Sequence, residues 1–101
     1  MTYLNPEQSS EKRAARADSA ASQFAEAAYL ADGSGMLLLR RTQYHFQLLH
    51  QRDGWIVNIY PSNRRIYHDK NHRGPFLKLP HDWDLLSVVR AAACSLTGAY
   101  P

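Results

Sequence analysis

The sequence predicts a two-layer α+β protein, in which an N-terminal and a C-terminal helix cover a three- or four-stranded antiparallel meander. Two turn signals indicate the meander. Asp53-Gly54 tolerates the positive φ of a hairpin turn, and Pro61-Ser62-Asn63-Arg64 has the residues of a type I turn. The flanking segments carry apolar residues at helical spacing. A chain of 101 residues can build one modest core, so we expect a single small domain.

The first helix is predicted over residues 6–31, after a flexible tail at residues 1–5. The motif Asn5-Pro6-Glu7-Gln8 supplies an N-cap, a proline at the first helical position and a glutamine three residues after the cap. Gly33 follows as a stop signal.

One side of this helix is predicted to be small and apolar, through residues at three- and four-residue spacing: Ala14, Ala17, Ala21, Phe24, Ala28 and Ala31. Because alanine buries little surface, we expect Phe24, Tyr29 and Leu30 to anchor the helix. Packing on the protein's own sheet is one interpretation of this stripe. Self-association through the N-terminal helix is the alternative, since small residues allow close approach.

The sheet is predicted over residues 36–68. The leucine run at residues 36–41 is either a bent extension of the next strand or a separate edge strand, and both remain open. A two-residue turn at Asp53-Gly54 sets the first register, which places Arg52 opposite Trp55, His50 opposite Val57, and Leu48 opposite Ile59. The second turn sets the other register, which pairs Tyr60 with Arg65, Ile59 with Ile66, and Asn58 with Tyr67.

Side chains alternate across a strand, so these registers divide the sheet into two faces. The predicted core face carries Tyr44, Phe46, Leu48, Trp55, Val57, Ile59 and Ile66. The opposite face carries His45, Gln47, Leu49, Ile56, Asn58, Tyr60, Arg65 and Tyr67. This second face is interpreted either as a solvated surface or as a binding surface.

The last helix is predicted over residues 82–97, after a polar loop at residues 68–76 and an apolar strap of Phe76, Leu77 and Leu79. Either Asp82 or Asp84 can cap it, and Trp83 is expected to hold its start against the sheet. The apolar residues at helical spacing are Leu85, Leu86, Val89, Ala92, Ala93 and Leu96, with Gly98 as a stop.

The order of elements resembles the double-stranded RNA-binding domain in topology. That family looks like it needs a lysine cluster at the start of its last helix. This chain has His81-Asp82-Trp83-Asp84 there, which is acidic where a phosphate would lie. The function of that family is therefore not carried over.

Charge is unevenly distributed along the chain. Residues 1–35 hold three Lys and Arg against five Asp and Glu, whereas residues 36–73 hold seven against two. This excess is a hint of a phosphate-bearing partner. The longest apolar run, at residues 36–39, is too short for a membrane span. The start lacks the apolar core of a signal peptide, and the single Cys94 excludes an intrachain disulfide, so we expect a cytoplasmic setting and no membrane partner.

No catalytic, cofactor or metal motif is expected in this sequence. His68 and His72 have a spacing seen in zinc sites, but no second ligand pair matches it. The first register would also keep His50 and His68 two strand spacings apart, roughly 9.6 Å. Cys94 lies among alanines, with no partner base evident. We therefore expect a non-enzymatic binding module without a cofactor.

Two kinds of partner are weighed. The first is a protein, bound through the exposed sheet face, the 37–41 edge or the alanine stripe. The alternative is nucleic acid, with Arg and Lys neutralising phosphates while aromatic rings stack on bases. The candidate binding residues are shared by the two hypotheses: Arg41, His45, Gln47, Asn58, Tyr60, Arg64, Arg65 and Tyr67.

Overall fold

The computed structural model describes residues 6–68 and 77–97. The elements follow the order α1 (Pro6–Gly33), β1 (Met36–Arg40), β2 (Phe46–His50), β3 (Ile56–Tyr60), a 3₁₀ turn (Pro61–Asn63), β4 (Arg65–His68) and α2 (Leu85–Thr97). Each strand is antiparallel to its sequence neighbour, in the order β1-β2-β3-β4. The predicted α+β meander between two helices is confirmed, with four strands. The predicted tail at residues 1–5, most of the polar loop, Phe76 and Gly98 lie outside the described residues.

The leucine run forms the separate edge strand β1, which is paired to β2 through a short turn. The Arg41 amide donates to the His45 carbonyl at 2.8 Å, and the Thr42 hydroxyl accepts from the Tyr44 amide at 3.2 Å. The Thr42 side chain therefore stabilises this turn by a hydrogen bond to the backbone, so the turn needs no glycine or asparagine. Tyr44 lies in this turn and is 40% exposed, so its predicted place on the core face is wrong.

The predicted register between β2 and β3 is also wrong, by two residues. Leu48 lies opposite Val57, and His50 donates its amide to the Trp55 carbonyl at 3.0 Å. The connection is a four-residue loop rather than a two-residue turn. His50 closes this loop, because its carbonyl accepts from the Gly54 amide at 2.8 Å and its ring Nδ1 accepts from the Asp53 amide at 3.0 Å. Gly54 takes the left-handed backbone conformation, with φ of 73°.

The register between β3 and β4 is confirmed, with Tyr60 opposite Arg65 and Asn58 opposite Tyr67. The turn between them is a 3₁₀ turn that begins at the buried Pro61 and ends at Arg64, whose φ is 52°. Arg16 of α1 donates to the Ser62 carbonyl at 2.8 Å. This hydrogen bond ties the first half of α1 to the turn.

The core lies between the sheet and both helices, as the alternation pattern predicts. Its fully buried sheet residues include Phe46, Leu48, Val57 and Ile59, and the rings of Phe24 and Phe46 lie 5.9 Å apart. The buried helix residues that pack on them are Ala20, Ala27, Ala31, Leu85, Val88, Val89 and Ala92. The opposite face of the sheet is covered by neither helix.

Two details of α1 differ from the prediction. Tyr29 does not anchor the helix, because 83% of it is exposed, and Ala14 is exposed as well. Ala20 and Ala27 are buried instead. Alanines occur at so many positions of α1 that spacing alone cannot select the side that packs.

The start of α2 is capped by Asp84, one of the two predicted candidates. Its Oδ1 accepts from the Ser87 amide at 2.9 Å and from the Ser87 hydroxyl at 2.8 Å. Gln23 of α1 adds a bridge between the helices: its Nε2 donates to Asp84 Oδ2 at 2.9 Å, and its Oε1 accepts from the Leu86 amide at 3.2 Å. Trp83 is half-buried against the core.

Candidate interaction surface

The sheet face that points away from the helices, called the open face below, is made of three rows of side chains. The register places them side by side across the strands. The row nearest the β1–β2 turn holds Arg41, His45, Tyr60 and Arg65. The middle row holds Leu39, Gln47, Asn58 and Tyr67, and the third holds Leu37, Leu49 and Ile56.

A hydrogen-bonded chain joins the first two rows. Asn58 Oδ1 lies 2.8 Å from His45 Nε2 and accepts from Gln47 Nε2 at 2.9 Å. Because an amide oxygen can only accept, His45 Nε2 must carry a proton in this arrangement. Gln47 Oε1 in turn accepts from Arg41 Nε at 2.6 Å. These contacts fix the orientation of the amide groups at the centre of the open face.

Three rings form the second part of the open face. The His45 and Tyr60 rings are stacked with centroids 4.6 Å apart and planes within 6°, and Tyr67 meets Tyr60 edge-on at 5.8 Å. Arg65 donates to the Tyr67 hydroxyl at 3.4 Å. That hydrogen bond raises the pKa of Arg65, so its guanidinium stays charged at any physiological pH.

An apolar patch, formed by Leu37, Leu39, Leu49 and Ile56, occupies the other end of the open face. Leu37 is 41% exposed, and the other three side chains are half-buried. Leu49 lies opposite both Leu37 and Ile56, so the patch is continuous across three strands. The eight binding residues predicted from the sequence do not include these four. The leucines at alternate positions of residues 36–41 are a usable signal once that segment forms a strand.

No family model, curated protein or solved structure matches this chain.

Seven of the eight predicted site residues come together on the open face, and Arg64 does not. Its side chain lines two cavities, of about 260 and 330 Å³, that it shares with Trp83 from the start of α2. The left-handed backbone at Arg64 separates it from Arg65, its neighbour in sequence. Within residues 36–68, the positive side chains are therefore divided between different sides of the molecule.

The described histidines lie in separate environments. His50 is buried, and its ring is stacked on Trp55 with the centroids 5.1 Å apart. Val57 lies between His68 of β4 and Leu48 of β2, so His50 is not in the same row as His68. In residues 6–68 and 77–97, no three His, Cys, Asp or Glu side chains are grouped so that they could hold a metal ion. His72 lies outside the described residues.

The described helices also include none that combines the length and the apolar character needed to cross a membrane.

Proposed function

We propose that this protein is a non-enzymatic interaction module whose open face binds a protein segment that presents apolar side chains next to carboxylates. The observation that carries the proposal is the apolar patch, which adjoins a cluster bearing Arg41 and Arg65. Within the described part of the chain, the acidic residues lie on the helices, in the β2–β3 loop and before α2, and none is on the open face. The proposal includes a reducing, cytoplasmic setting, with which the single Cys94 agrees.

The apolar patch favours a protein over a small molecule, because it spreads across three strands. Burial of such a surface contributes about 25 cal/mol per Å² of apolar area. The polar cluster favours specificity, since its side chains already hold one another in place and lose little further freedom on binding. Arg41 and Arg65 stand at the two ends of one row and can each meet a carboxylate of the partner.

Selection from a displayed library of random peptides, with the whole chain as bait, tests the proposal. We expect the enriched peptides to combine apolar residues with Asp or Glu. We expect Leu49→Lys to weaken their binding by about tenfold or more, because it places an unpaired charge in the middle of the patch. Tyr29→Lys is the matched control, since Tyr29 is more exposed than any patch residue and lies on α1.

Backbone amide shifts of the isotope-labelled chain give the location of the bound peptide. Shifts that concentrate at residues 37, 39, 47, 49, 56 and 58 agree with the proposal. Peptides that move α1 amides instead, or that bind Leu49→Lys as well as the wild type, would contradict it.

Nucleic acid is the second candidate partner, and one observation favours it. The row nearest the β1–β2 turn carries two guanidinium groups on either side of a stacked imidazole and phenol ring. Backbone phosphates and bases are recognised by this combination of groups. The apolar patch has no role in such binding, which is why we place this candidate second.

Fluorescence anisotropy with single- and double-stranded oligonucleotides at low salt tests the second candidate. If it holds, Arg65→Ala weakens binding and reduces the slope of log affinity against log salt by about one. Arg64→Gly is the matched control: it removes the same charge at the neighbouring residue, away from the open face, and glycine suits the left-handed backbone there. Equal losses in both variants would point to nonspecific charge attraction.

A further inference from the structure

The larger of the two cavities that Arg64 lines lies at the β4 edge of the sheet, and its volume is about 330 Å³. Six residues line it, three at alternate positions of the chain from the 3₁₀ turn into β4 and three from the segment before α2: Arg64, Ile66, His68, Leu77, Leu79 and Trp83. None of the six is fully buried, so the cavity is accessible from solvent. Its volume equals that of about eleven water molecules and lies at the lower end of the range for small-molecule sites.

Most of the cavity wall is apolar. Ile66, Leu77, Leu79 and Trp83 are half-buried and pack on the margin of the core. Ile66 lies opposite the buried Ile59, which places the cavity on the core side of the sheet. A ligand with an apolar body would cover the surface that these side chains still expose, and such burial is favourable in proportion to its area.

The cavity also carries one permanent positive charge. Arg64 supplies it, and within the described residues no carboxylate lies at ion-pair distance from this guanidinium. The neighbouring cavity, of about 260 Å³, is different: it adds Arg16 but is also lined by Asp82 and Asp84, so its charges balance. The larger cavity therefore suits an anion.

The backbone conformation at Arg64 is a second indication. Its φ of 52° is left-handed, and glycine adopts this conformation with less strain. The Arg64 amide donates to the Pro61 carbonyl at 3.2 Å, a bond that glycine would keep. The side chain is exposed and makes no hydrogen bond to another described residue. Contacts within the described chain thus do not account for an arginine here, whereas recognition of an anion does.

His68 supplies a second polar group to the cavity. Its Nδ1 is buried and has no hydrogen-bond partner within residues 6–68 and 77–97. Most buried polar groups in folded proteins have a partner, so this nitrogen is a candidate for a bond to a ligand. Because the ring turns about its Cβ–Cγ bond, Nδ1 can be brought to face the cavity, where a protonated Nδ1 donates to an oxygen.

We propose that this cavity binds a small apolar carboxylic acid, with its carboxylate at Arg64 and His68 and its apolar body between β4 and the leucines of the strap. A guanidinium group binds a carboxylate through two parallel hydrogen bonds. One fixed cation balances one negative charge, so a carboxylate fits this apolar site better than a phosphate, which carries nearly two. The site lies on the other side of the sheet from the open face and goes beyond the function proposed for that face.

Titration of the isotope-labelled whole chain with octanoate tests the proposal. We expect saturable shifts of the Ile66, Leu77 and Leu79 methyl groups and of the Trp83 indole. Octanol has the same apolar chain without the charge, and we expect it to bind about tenfold more weakly or worse. Octylammonium, with the opposite charge, should bind no better than octanol.

Three results of this titration would overturn the proposal. The first is equal binding of octanoate and octanol, which would show that Arg64 adds nothing. The second is an absence of binding up to about 10 mM octanoate. The third is a set of shifts confined to Leu37, Leu49 and Ile56, which would place the acid on the apolar patch of the open face.

Arg64→Gly tests the role of the cation. We expect the octanoate affinity to fall by about tenfold or more, to the level of octanol, because the carboxylate loses its partner. The urea midpoint should change little, since relief of strain in the folded chain offsets the greater freedom of glycine in the unfolded chain. Arg65→Ala is the matched control: it removes the same charge from the next residue, on the open face, and should keep octanoate binding within about twofold. Retained binding in Arg64→Gly, or equal losses in both variants, would refute the site.

Discussion

Phe46→Ala is expected to lower the free energy of unfolding by about 3–5 kcal/mol, the usual cost of emptying a buried phenylalanine site. Phe46 is fully buried, packs on the ring of Phe24, and carries the Arg40 guanidinium 5.7 Å from its ring centroid. It therefore joins α1, β1 and β2 at one point. Urea unfolding followed by circular dichroism measures the loss, and an unchanged m-value would show that the denatured state is not altered.

Tyr44→Ala is the informative control for this prediction. The sequence places Tyr44 and Phe46 on the same face of one strand, two residues apart, yet only Phe46 is buried. We expect Tyr44→Ala to cost less than about 0.5 kcal/mol, as at other exposed sites. Comparable losses in the two variants would mean that the β1–β2 turn ends before residue 44 and that Tyr44 belongs to β2 and to the core.

The two faces of the sheet could be predicted because alternation depends only on strand type. The predicted β2–β3 register is wrong by two residues, an even number, so every side chain of these strands stays on its predicted face. The loop length could not be read from Asp53-Gly54, since that pair suits several turns. The deciding feature is the His50 ring, which accepts from the Asp53 amide, and such a contact leaves no pattern in the sequence.

For the candidate site, too, the sequence could predict the face on which each residue lies but not the contacts between residues. Alternation placed His45, Asn58 and Tyr60 on one face, and the structure adds the hydrogen bonds and ring contacts that join them. Arg64 is predicted in this group because it contributes to the positive excess of residues 36–73. The Arg64 side chain lies away from the open face because the backbone at Arg64, which ends the 3₁₀ turn, is left-handed. This conformation is uncommon for arginine, so the sequence does not predict it.

The helix positions were harder to predict for a different reason. α2 has its large apolar residues on one side only. Its buried Leu85, Val89 and Ala92 agree with the prediction, whereas the equally buried Val88 is missing from it. α1 has alanines nearly all round, so its orientation is set by contacts outside the helix, such as those from Arg16 to the 3₁₀ turn and from Gln23 to α2. Tertiary contacts of this kind override a weak local pattern.

Asp84→Ala is expected to lower the free energy of unfolding by about 1–2 kcal/mol at neutral pH, the upper part of the range for loss of a helix cap. The substitution removes the acceptor of the Ser87 amide and leaves Gln23 Nε2 without its partner on α2. Both helices should be affected, because the Gln23 bridge joins them. Thermal unfolding compared with the neighbouring Asp82→Ala variant measures the effect, since Asp82 is exposed.

The Asp84 contribution should also depend on pH. Burial acts to raise the pKa of Asp84, but hydrogen bonds from Gln23 and Ser87 together outweigh burial and lower it below the ordinary value of 3.8. The unfolded chain therefore binds this proton first, so the stabilisation is complete above the ordinary carboxyl range and is lost as the pH falls through the lowered pKa. The contribution of Asp84 is measured as the difference in unfolding free energy between wild type and Asp84→Asn, from neutral pH into acid. All other carboxylates are present in both proteins, so their effects cancel in this difference. Gln23→Ala should reduce its pH dependence, and a difference that is constant down to pH values well below 3.8 would contradict the assignment.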